Sequence, residues 1–390
     1  MQEATEGDCS DSRPSPAPLE ERLVALDILR GVALFGVMVI NLVFEFRVSI
    51  FEQFLPLPGS ASPLDRMIAT FLDVAIELKA FALFSLLFGV GLAIQFDRLA
   101  GKPRAILLVR RLLALLAFGV IHLTLIWNGD ILTEYALAGL LVLPFLYGPR
   151  WLLAGCSLAL LALYASSYLL RLLPFPDARW LAHHVIEARR VYATGSFAEI
   201  LRFRVHEIAA IAPLHVWVFP RTLALFLIGA LVWRSGAVQR ASANPLPWFG
   251  TGLAAAVLTA FVGSILATVT LALAYGAIII GLASTSVGAK LLGWAAPLGR
   301  MAFTNYIVQS LIFGWIFYGY GFGLFGKLSV STALALGIAV YITQVFFSRW
   351  WLRRYRFGPI EWTWRSLMYG QLQPMRRLVT APTSSILRKF

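Results

Sequence analysis

Long apolar runs separated by short polar segments dominate this chain. A helix needs about 20 mostly apolar residues to cross the hydrocarbon core of a bilayer. The pattern predicts ten such helices, with boundaries accurate to a few residues, at 27–46, 78–97, 107–127, 130–148, 151–171, 213–233, 246–264, 267–287, 300–319 and 329–349. The stretch Ala241 to Ala289 has no Asp, Glu, Lys or Arg and is too long for one span, so we expect a hairpin turning near Gly263 and Ser264.

Three segments fall outside the predicted spans. Residues 1–21 carry six acidic side chains among prolines, which predicts a disordered tail and differs from the basic start of a signal peptide. Residues 172–212 are rich in charge, and we expect amphipathic helices lying on the outer surface. Residues 371–390 form a basic tail. The remaining chain, 22–370, is predicted to be one helical membrane domain that includes the outer segment.

The composition agrees with a membrane protein and excludes several other classes. Of 390 residues, 59% are hydrophobic and only 14% are charged, whereas soluble domains have about 25% charged residues. A soluble enzyme, a secreted disulfide scaffold and a disordered protein are therefore excluded. Only two cysteines occur, so we expect no disulfide framework and no multi-cysteine metal site. No zinc-ligand spacing or P-loop appears either, and we expect no metal centre and no tightly bound cofactor. The expected fold is an all-α polytopic bundle of about ten transmembrane helices in a lipid bilayer.

The charge distribution orients this bundle. A net charge of +13 is compatible with nucleic-acid binding, but the basic residues lie in short clusters between apolar runs, as the positive-inside rule predicts for cytoplasmic loops. We therefore expect no nucleic-acid partner. The loops after even-numbered spans hold most of the basic residues, and this asymmetry predicts that both termini lie in the cytoplasm. The oligomeric state is not predicted.

The third predicted span carries two polar residues at helical spacing. Arg111 and His122 are eleven residues apart, which is nearly three turns, so they lie on one face about 16 Å apart. We expect both to face one interior cleft that admits an anionic donor from the cytoplasm. Asp130 is expected to orient His122, as a carboxylate orients a catalytic histidine. The alternative is a snorkelling arginine and a histidine bonded to a neighbouring helix.

Other polar residues at membrane depth are further candidates, because ionisable groups there are costly. Asp27 and Arg30 lie at the cytoplasmic end of the first span, where we expect donor binding; an ion pair within the helix is the alternative. Further residues are expected to line the cavity or its acceptor side, although interhelical hydrogen bonding is the plainer role of the two amides in span nine. These residues are Asn41, Glu77, Lys79, Glu134, Tyr135, Arg221, Asn305 and Gln309.

Several segments resemble the YeiB-like family of bacterial multi-pass membrane proteins, a family of unknown function. They cover nearly the whole chain after residue 22, and the C-terminal segment is the most specific of them. The resemblance implies a bacterial inner-membrane location. The segments are Leu26-Asp27-Ile-Leu-Arg30-Gly31, Lys79-Ala-Phe-Ala-Leu-Phe-Ser-Leu-Leu-Phe-Gly89, His122 with Gly129-Asp130-Ile-Leu, Gly299-Arg300-Met-Ala-Phe-Thr304-Asn305-Tyr306, and Phe357-Gly358-Pro359-Ile-Glu361-Trp362-Thr-Trp364-Arg365-Ser-Leu-Met-Tyr369-Gly370.

The resemblance also implies an activity. The family is grouped with transmembrane acyltransferases, which include the type-3 acyltransferases and the heparan-α-glucosaminide N-acetyltransferase. Proteins of that superfamily resemble ten- or eleven-helix bundles that take acyl-CoA from the cytoplasm and acylate an acceptor on the other side. In type-3 enzymes, ten residues separate a basic residue from a histidine. Arg111 and His122 reproduce that spacing. Many of them also have a histidine in the first span, where this chain has Asn41.

Two hypotheses for function follow. In the first, the chain is an acyltransferase in which Arg111 and Arg30 hold the phosphates of an acyl-CoA co-substrate, while His122 acts as general base on an acceptor hydroxyl or amine. In the second, the chain is a small-molecule or lipid transporter or flippase, and the same polar residues form a proton relay. No inverted repeat or pair of broken helices is visible in the sequence, and such features would favour transport. The acceptor itself is not predicted.

Overall fold

The computed structural model describes residues 19–55, 62–100, 103–241 and 243–377, and these ranges are almost entirely helical. No β-strand occurs within them, apart from one isolated bridge between Tyr355 and Arg376. The α-helices, numbered α1 to α17 in chain order, are Leu19–Ile40, Pro63–Ala75, Lys79–Arg98, Arg104–Ile121, Leu132–Val142, Arg150–Ala165, Ser167–Leu172, Ala178–Thr194, Phe197–Arg234, Ala237–Arg240, Leu246–Thr259, Ser264–Ala283, Ser286–Leu292, Ala296–Arg300, Ala302–Phe317, Val330–Arg354 and Pro359–Tyr369.

The helices have the length and composition of membrane spans. In the described ranges, six apolar helical stretches are long enough to cross a bilayer: Val24–Phe46, Pro63–Arg98, Arg104–Ile126, Phe197–Arg234, Ser264–Ala283 and Val330–Arg354. The other four predicted runs correspond to shorter apolar helices, Leu132–Tyr147, Arg150–Ala165, Leu246–Thr259 and Ala302–Phe317. The all-helical class and its membrane character are therefore confirmed. The count of ten spans and the location of the termini stay predictions.

Two predicted boundaries differ from the observed helices. Most of the predicted disordered tail lies outside the described residues, but its last three residues already belong to α1, which begins at Leu19. Helix α9 is 38 residues long and begins at Phe197 rather than near residue 213. It begins there because Ser196 and Glu199 form a capping box that satisfies the free backbone amides. The second half of the predicted outer segment is therefore continuous with span six.

Close packing at glycines sets the positions of the central helices. A Cβ atom built on Gly89 of α3 would overlap the backbone of Phe226 in α9, and one on Gly229 of α9 would overlap the backbone of Leu86 in α3. Small residues allow helix backbones to approach closely within a membrane, where no hydrophobic effect drives helices together. The contact between α3 and α9 is therefore fixed by glycines on both helices, and α3 forms a wall of the large cavity described below.

Replacing Gly89 by alanine tests this packing. We expect Gly89→Ala to destabilise the protein by about 1–3 kcal/mol, because an overpacked interface must shift its backbone. Gly155→Ala is the matched control, since a Cβ there meets no atom within 4 Å and alanine favours the helix. Thermal unfolding in detergent measures both variants. Equal stability of the two variants would contradict the close approach of α3 and α9.

Candidate active site

A large cavity opens at one end of the helix bundle and carries an excess of positive charge. Its volume is about 830 Å³, and α1, α3, α4, α5, α14, α15 and α17 form its walls. Two carboxylates, Asp27 and Glu361, also line it. Because five guanidinium groups face two carboxylates, the cavity attracts anions. Its five lining arginines are Arg30, Arg98, Arg111, Arg300 and Arg356.

The deeper part of the cavity is apolar. Its walls there include Leu34, Val37, Phe84 and Phe88, and the hydroxyl-bearing Tyr306 lines it at the far end. From Asp27 to Val37, α1 rises by about 15 Å along its axis. The cavity therefore joins a cationic mouth to an apolar interior, a shape that suits a ligand with an anionic head and an apolar or extended tail.

Arg111 is fixed at the mouth by the C-terminal helix α17. Its guanidinium carbon lies 3.5 Å from the centre of the Trp364 ring, within the range of a cation–π contact. The indole Nε1 of Trp364 donates a 2.7 Å hydrogen bond to the backbone oxygen of Arg111. Two contacts thus join α17 to α4 and hold Arg111 in the cavity wall, as the sequence predicted for this arginine.

Glu361 attaches α17 to the beginning of α15. Its carboxylate accepts hydrogen bonds from the backbone amides of Phe303, at 2.8 Å, and Thr304, at 3.0 Å, and from the Thr304 hydroxyl at 2.5 Å. Free amides at a helix N-terminus are natural partners of a carboxylate. Desolvation raises the pKa of the Glu361 carboxyl, while the bonds from Thr304 and Phe303 lower it. The C-terminal segment 357–370, which resembles the YeiB-like family, therefore builds one wall of the cavity through Phe357, Glu361 and Trp364.

Asp27 and Arg30 form the ion pair that was the alternative to donor binding. Arg30 Nη1 lies 2.7 Å from Asp27 Oδ1, one helical turn away. Both side chains also line the cavity. The pair leaves the remaining guanidinium nitrogens of Arg30 available, so the ion pair and a role in the cavity are compatible.

His122 and Asp130 form a buried pair. The His122 Nδ1 and Asp130 Oδ1 atoms are 2.9 Å apart, and the side chains of both residues have no solvent exposure. Asp130 Oδ2 accepts a 2.7 Å hydrogen bond from the Thr133 backbone amide at the start of α5. The other imidazole nitrogen, Nε2, lies 2.9 Å from the Ser310 hydroxyl of α15. The structure therefore gives Asp130 the orienting position that the sequence predicted for it.

Arg111 lines the large cavity, but His122, which we expected to face the same cleft, does not. His122 does not line the large cavity, because Tyr306 and Ile131 form its floor. The ring centres of His122 and Tyr306 are 5.1 Å apart. The expectation that both side chains face one open cleft is thus wrong for this conformation, since Asp130 and Ser310 hold the imidazole in a closed layer just below the floor.

Two π-helical turns lie near this layer, one directly after α1 and one directly after α4. The turns Asn41–Phe46 after α1 and His122–Ile126 after α4 have this conformation, which occurs mostly as short bulges, frequently at functional sites. The two turns meet where the Phe46 and Trp127 rings stack with centres 4.6 Å apart. Trp127 in turn lies edge-on to His122, with ring centres 6.1 Å apart.

A small void lies on the other side of this layer. It has a volume of about 10 Å³, and its lining includes Glu45, Trp127, Asn128 and Glu207. That volume holds about one water molecule. Since Trp127 contacts His122 and also lines the void, the imidazole lies between the large cavity on one side and an acidic void on the other.

The void depends on charges that the sequence analysis assigned to the outer surface. Glu207 is 2% exposed and accepts hydrogen bonds from Asn128, at 2.7 Å, and from the Tyr192 hydroxyl, while His184 Nε2 lies 2.6 Å away. Arg204, one turn earlier on α9, has no exposure at all. The assignment of this part of 172–212 to an amphipathic surface was wrong for these two residues. Both share a helix face with apolar residues three and four positions away, and that spacing was the available signal.

Three of the residues predicted to line the cavity lie elsewhere, and two of them make interhelical hydrogen bonds. Asn305 Nδ2 donates to Ser348 Oγ at 3.0 Å, and Gln309 Nε2 donates to Gln344 Oε1 at 2.7 Å. Neither amide lines the cavity, because both point from α15 towards α16. Asn41 is 3% exposed and lies in the first π-helical turn, away from the cavity lining. The plainer alternative therefore applies to Asn305 and Gln309.

Five of the predicted cavity-lining residues remain, of which one lines the cavity and four do not. Tyr135 lines the cavity and donates a hydrogen bond to the Phe81 carbonyl at 3.0 Å. The other four, Glu77, Lys79, Glu134 and Arg221, do not line it.

Three of these four side chains contact other groups in the bundle. Lys79 Nζ donates to the Asp73 carbonyl at 2.8 Å, near the break between α2 and α3, and Glu77 lies in that same break. Glu134 accepts a bond from Thr222. Arg221 is 2% exposed and packs over the Tyr164 ring.

Five functional candidates were missed as site residues by sequence reasoning. Arg98, Arg300 and Arg356 line the cavity but were interpreted only as loop charges. They come from three separate segments, the ends of α3 and α14 and the connection before α17, so no local spacing connects them. Tyr306 and Ser310 lie one turn apart on α15, and an i,i+4 tyrosine–serine pair in an apolar helix carries no chemical signature by itself.

Comparisons with known proteins find relatives but no characterised one among those matched. The family described as "Protein of unknown function (DUF418)" matches residues 214–371. The uncharacterised protein YxaH of Bacillus subtilis is 33% identical over 93% of this chain and 98% of its own. The uncharacterised protein YeiB of Escherichia coli is 31% identical over 89% of this chain and 96% of its own. A 39.9 kDa protein of Bacillus acidopullulyticus is 30% identical over 92% and 97%.

The class defined by the fold is a helical membrane protein with a cationic internal cavity. The chain belongs to the YeiB-like family, since these identities extend over nearly its whole length. No solved structure matches the chain significantly.

The attachment of α17 can be tested at Glu361. We expect Glu361→Ala to destabilise the protein by about 1–3 kcal/mol, because three donors at the start of α15 lose their acceptor. Glu187→Ala is the control, since the Glu187 side chain is 56% exposed and surface changes have effects of about 0.5 kcal/mol or less. Thermal unfolding compares the two variants, and a Glu361 variant as stable as the control would exclude the anchoring role.

Proposed function

We propose that this chain is a membrane-embedded acyltransferase, which moves an acyl group from a cytoplasmic acyl-CoA donor to a hydroxyl or amine acceptor at the membrane or its outer side. The observation that carries the proposal is the 830 Å³ cavity. Its arginine-lined mouth and apolar interior lead to the floor directly above the buried His122–Asp130 pair.

The chemistry of the cavity fits the two ends of acyl-CoA. Arginine binds phosphate oxygens through a planar, bidentate array of donors, and the arginines at the mouth match the phosphates of coenzyme A. The thioester arm and acyl chain require an extended apolar passage, which the residues from Leu34 to Tyr306 supply. The volume also lies in the usual range for a ligand cavity, about 300–1,000 Å³.

His122 is suited to general-base catalysis. Asp130 Oδ1 lies 2.9 Å from His122 Nδ1, and an ionised carboxylate there favours the tautomer with its proton on Nδ1 and a lone pair on Nε2. In the proposed reaction, Nε2 takes the proton of the hydroxyl or amine that attacks the acyl carbonyl carbon. The floor at Tyr306 and Ile131 must open for this step, since both lie between the cavity and the imidazole.

The predicted orientation supports a cytoplasmic donor. Arg98, Arg300 and Arg356 belong to loops that the positive-inside rule assigns to the cytoplasm, and all three line the mouth of the cavity. With both termini in the cytoplasm of a bacterial inner membrane, the mouth faces the compartment that holds acyl-CoA. The spacing of Arg111 and His122, which type-3 acyltransferases share, supports the same assignment.

A transporter or flippase is the second candidate, and one observation favours it. The small void with Glu45 and Glu207 lies opposite the large cavity across the His122 layer, so polar groups continue through the bundle. Such an arrangement also suits a gated path with a proton relay. Proton-gradient-dependent uptake by proteoliposomes without any acyl donor would support transport and oppose the acyltransferase proposal.

Removal of the imidazole tests the base. We expect His122→Ala to lower the rate of acyl transfer by about 10²–10⁴-fold, the usual contribution of a general base. Transfer from labelled acyl-CoA by the purified protein measures the rate. His183→Ala is the control, because His183 is exposed on α8. Full activity of the His122 variant would exclude the proposed role.

Removal of a mouth arginine tests donor binding. We expect Arg111→Gln to raise the KM for acyl-CoA by about tenfold, since a charge-assisted bond contributes roughly 1.5–3 kcal/mol, with a smaller effect on kcat. Arg202→Gln on the exposed face of α9 is the matched control. Initial rates at varied acyl-CoA concentration separate the two constants, and an unchanged KM in Arg111→Gln would contradict a donor site at the mouth.

A further inference from the structure

Ser310 completes a hydrogen-bonded chain with the two predicted catalytic residues. Its Oγ atom lies 2.9 Å from His122 Nε2, and His122 Nδ1 lies 2.9 Å from Asp130 Oδ1. All three side chains are at most 2% exposed. They come from α15, from the π-helical turn after α4 and from the loop before α5, so the fold rather than local sequence brings them together.

The contacts around Ser310 match those of an activated serine. Asp130 is an acceptor when ionised, so the proton of the neutral imidazole lies on Nδ1 and the lone pair on Nε2 faces Ser310. Ser310 also lies 3.2 Å from the carbonyl of Tyr306, the ordinary partner of a serine within a helix. The contact with His122 is the shorter of the two. A hydroxyl bonded to an imidazole that a carboxylate orients is the arrangement of an activated nucleophile.

We propose that Ser310 is the acyl-accepting nucleophile, so that the chain reacts through an acyl-enzyme; this inference rests on the proposed acyltransferase function. Ser310 Oγ attacks the thioester carbonyl carbon, and its proton moves to His122 Nε2. The carbon–sulfur bond breaks, and the imidazolium returns the proton to the departing sulfur. The products of this half-reaction are free CoA, with its thiol, and an ester on Ser310.

The second half-reaction regenerates the serine. An acceptor hydroxyl or amine gives its proton to His122 Nε2 and attacks the ester carbon; the bond to Ser310 Oγ breaks, and the proton returns to that oxygen. The acidic void lies beside Trp127 and Asn128, on the side of His122 away from the donor cavity. A covalent intermediate therefore lets donor and acceptor react one after the other from opposite sides of the layer.

The position of Tyr306 explains why the layer is closed in this structure. Tyr306 lies one turn before Ser310 on α15, and it lines the floor of the cavity. The thioester reaches Ser310 once the Tyr306 ring turns aside. The arrangement keeps water from the large cavity away from the nucleophile until a donor fills the cavity.

The test is covalent labelling in the absence of an acceptor. The full-length purified chain is incubated with acetyl-CoA or palmitoyl-CoA labelled in the acyl group, quenched in acid and digested for mass spectrometry. We expect label on the peptide that contains Ser310, stable to neutral hydroxylamine as an oxygen ester, with release of one CoA per label. Ser310→Ala is expected to lose the label. Ser348→Ala, another fully buried serine, is expected to keep it.

A second variant distinguishes loss of the nucleophile from a folding defect in Ser310→Ala. Ser310→Cys keeps a nucleophile at this position, and we expect it to take up label that neutral hydroxylamine removes, because the product is then a thioester. If the wild-type protein takes up no label but still transfers acyl groups to membrane acceptors, the acyl-enzyme is excluded. The acyltransferase proposal would then remain valid. Label on His122, or wild-type transfer rates in Ser310→Ala, would also exclude the acyl-enzyme on Ser310. If the wild type shows neither label nor transfer, both proposals fail.

Discussion

The hydrogen bond between His122 and Asp130 is the interaction on which the rest of the site depends. Both side chains are fully buried, and an ionisable group without a partner at this depth costs several kcal/mol. With Asp130 ionised, the bond also places the imidazole proton on Nδ1, and it holds Asp130 at the start of α5, where Thr133 donates a second bond. One pair thereby joins α4 to α5 and sets the chemistry of Nε2.

This pair lies in a closed layer that divides two unlike environments. On one side lies a cavity of about 830 Å³ lined by five arginines, and on the other a void of about 10 Å³ lined by Glu45 and Glu207. Arginines dominate the charged lining of the cavity, whereas two carboxyl groups line the void, so the two sides differ in chemistry. Tyr306 and Trp127 each face the imidazole from one side, so aromatic rings form the barriers in both directions.

Sequence reasoning succeeds where the determinant is local. Apolar runs predict the helices because the bilayer imposes a length, and the eleven-residue spacing from Arg111 to His122 predicts the order of mouth and interior. Sequence reasoning fails where the determinant is a contact between elements that are distant in the sequence. Arg204 is buried where its guanidinium lies against the ring of Tyr318, in the segment after α15, which the amphipathic pattern of α9 alone does not reveal. Ser310 meets His122 across 188 positions, and no spacing connects them. The prediction of an open cleft failed because Tyr306 closes it.

A structure of the protein with a non-hydrolysable thioether analogue of acyl-CoA tests the central claim most directly. The account predicts phosphate groups within hydrogen-bond distance of Arg111 and at least one other mouth arginine, the pantetheine arm between α1 and α3, and the thioether carbon at Tyr306. An analogue bound at the opposite end of the bundle, or outside the cavity with the mouth arginines unoccupied, would contradict it.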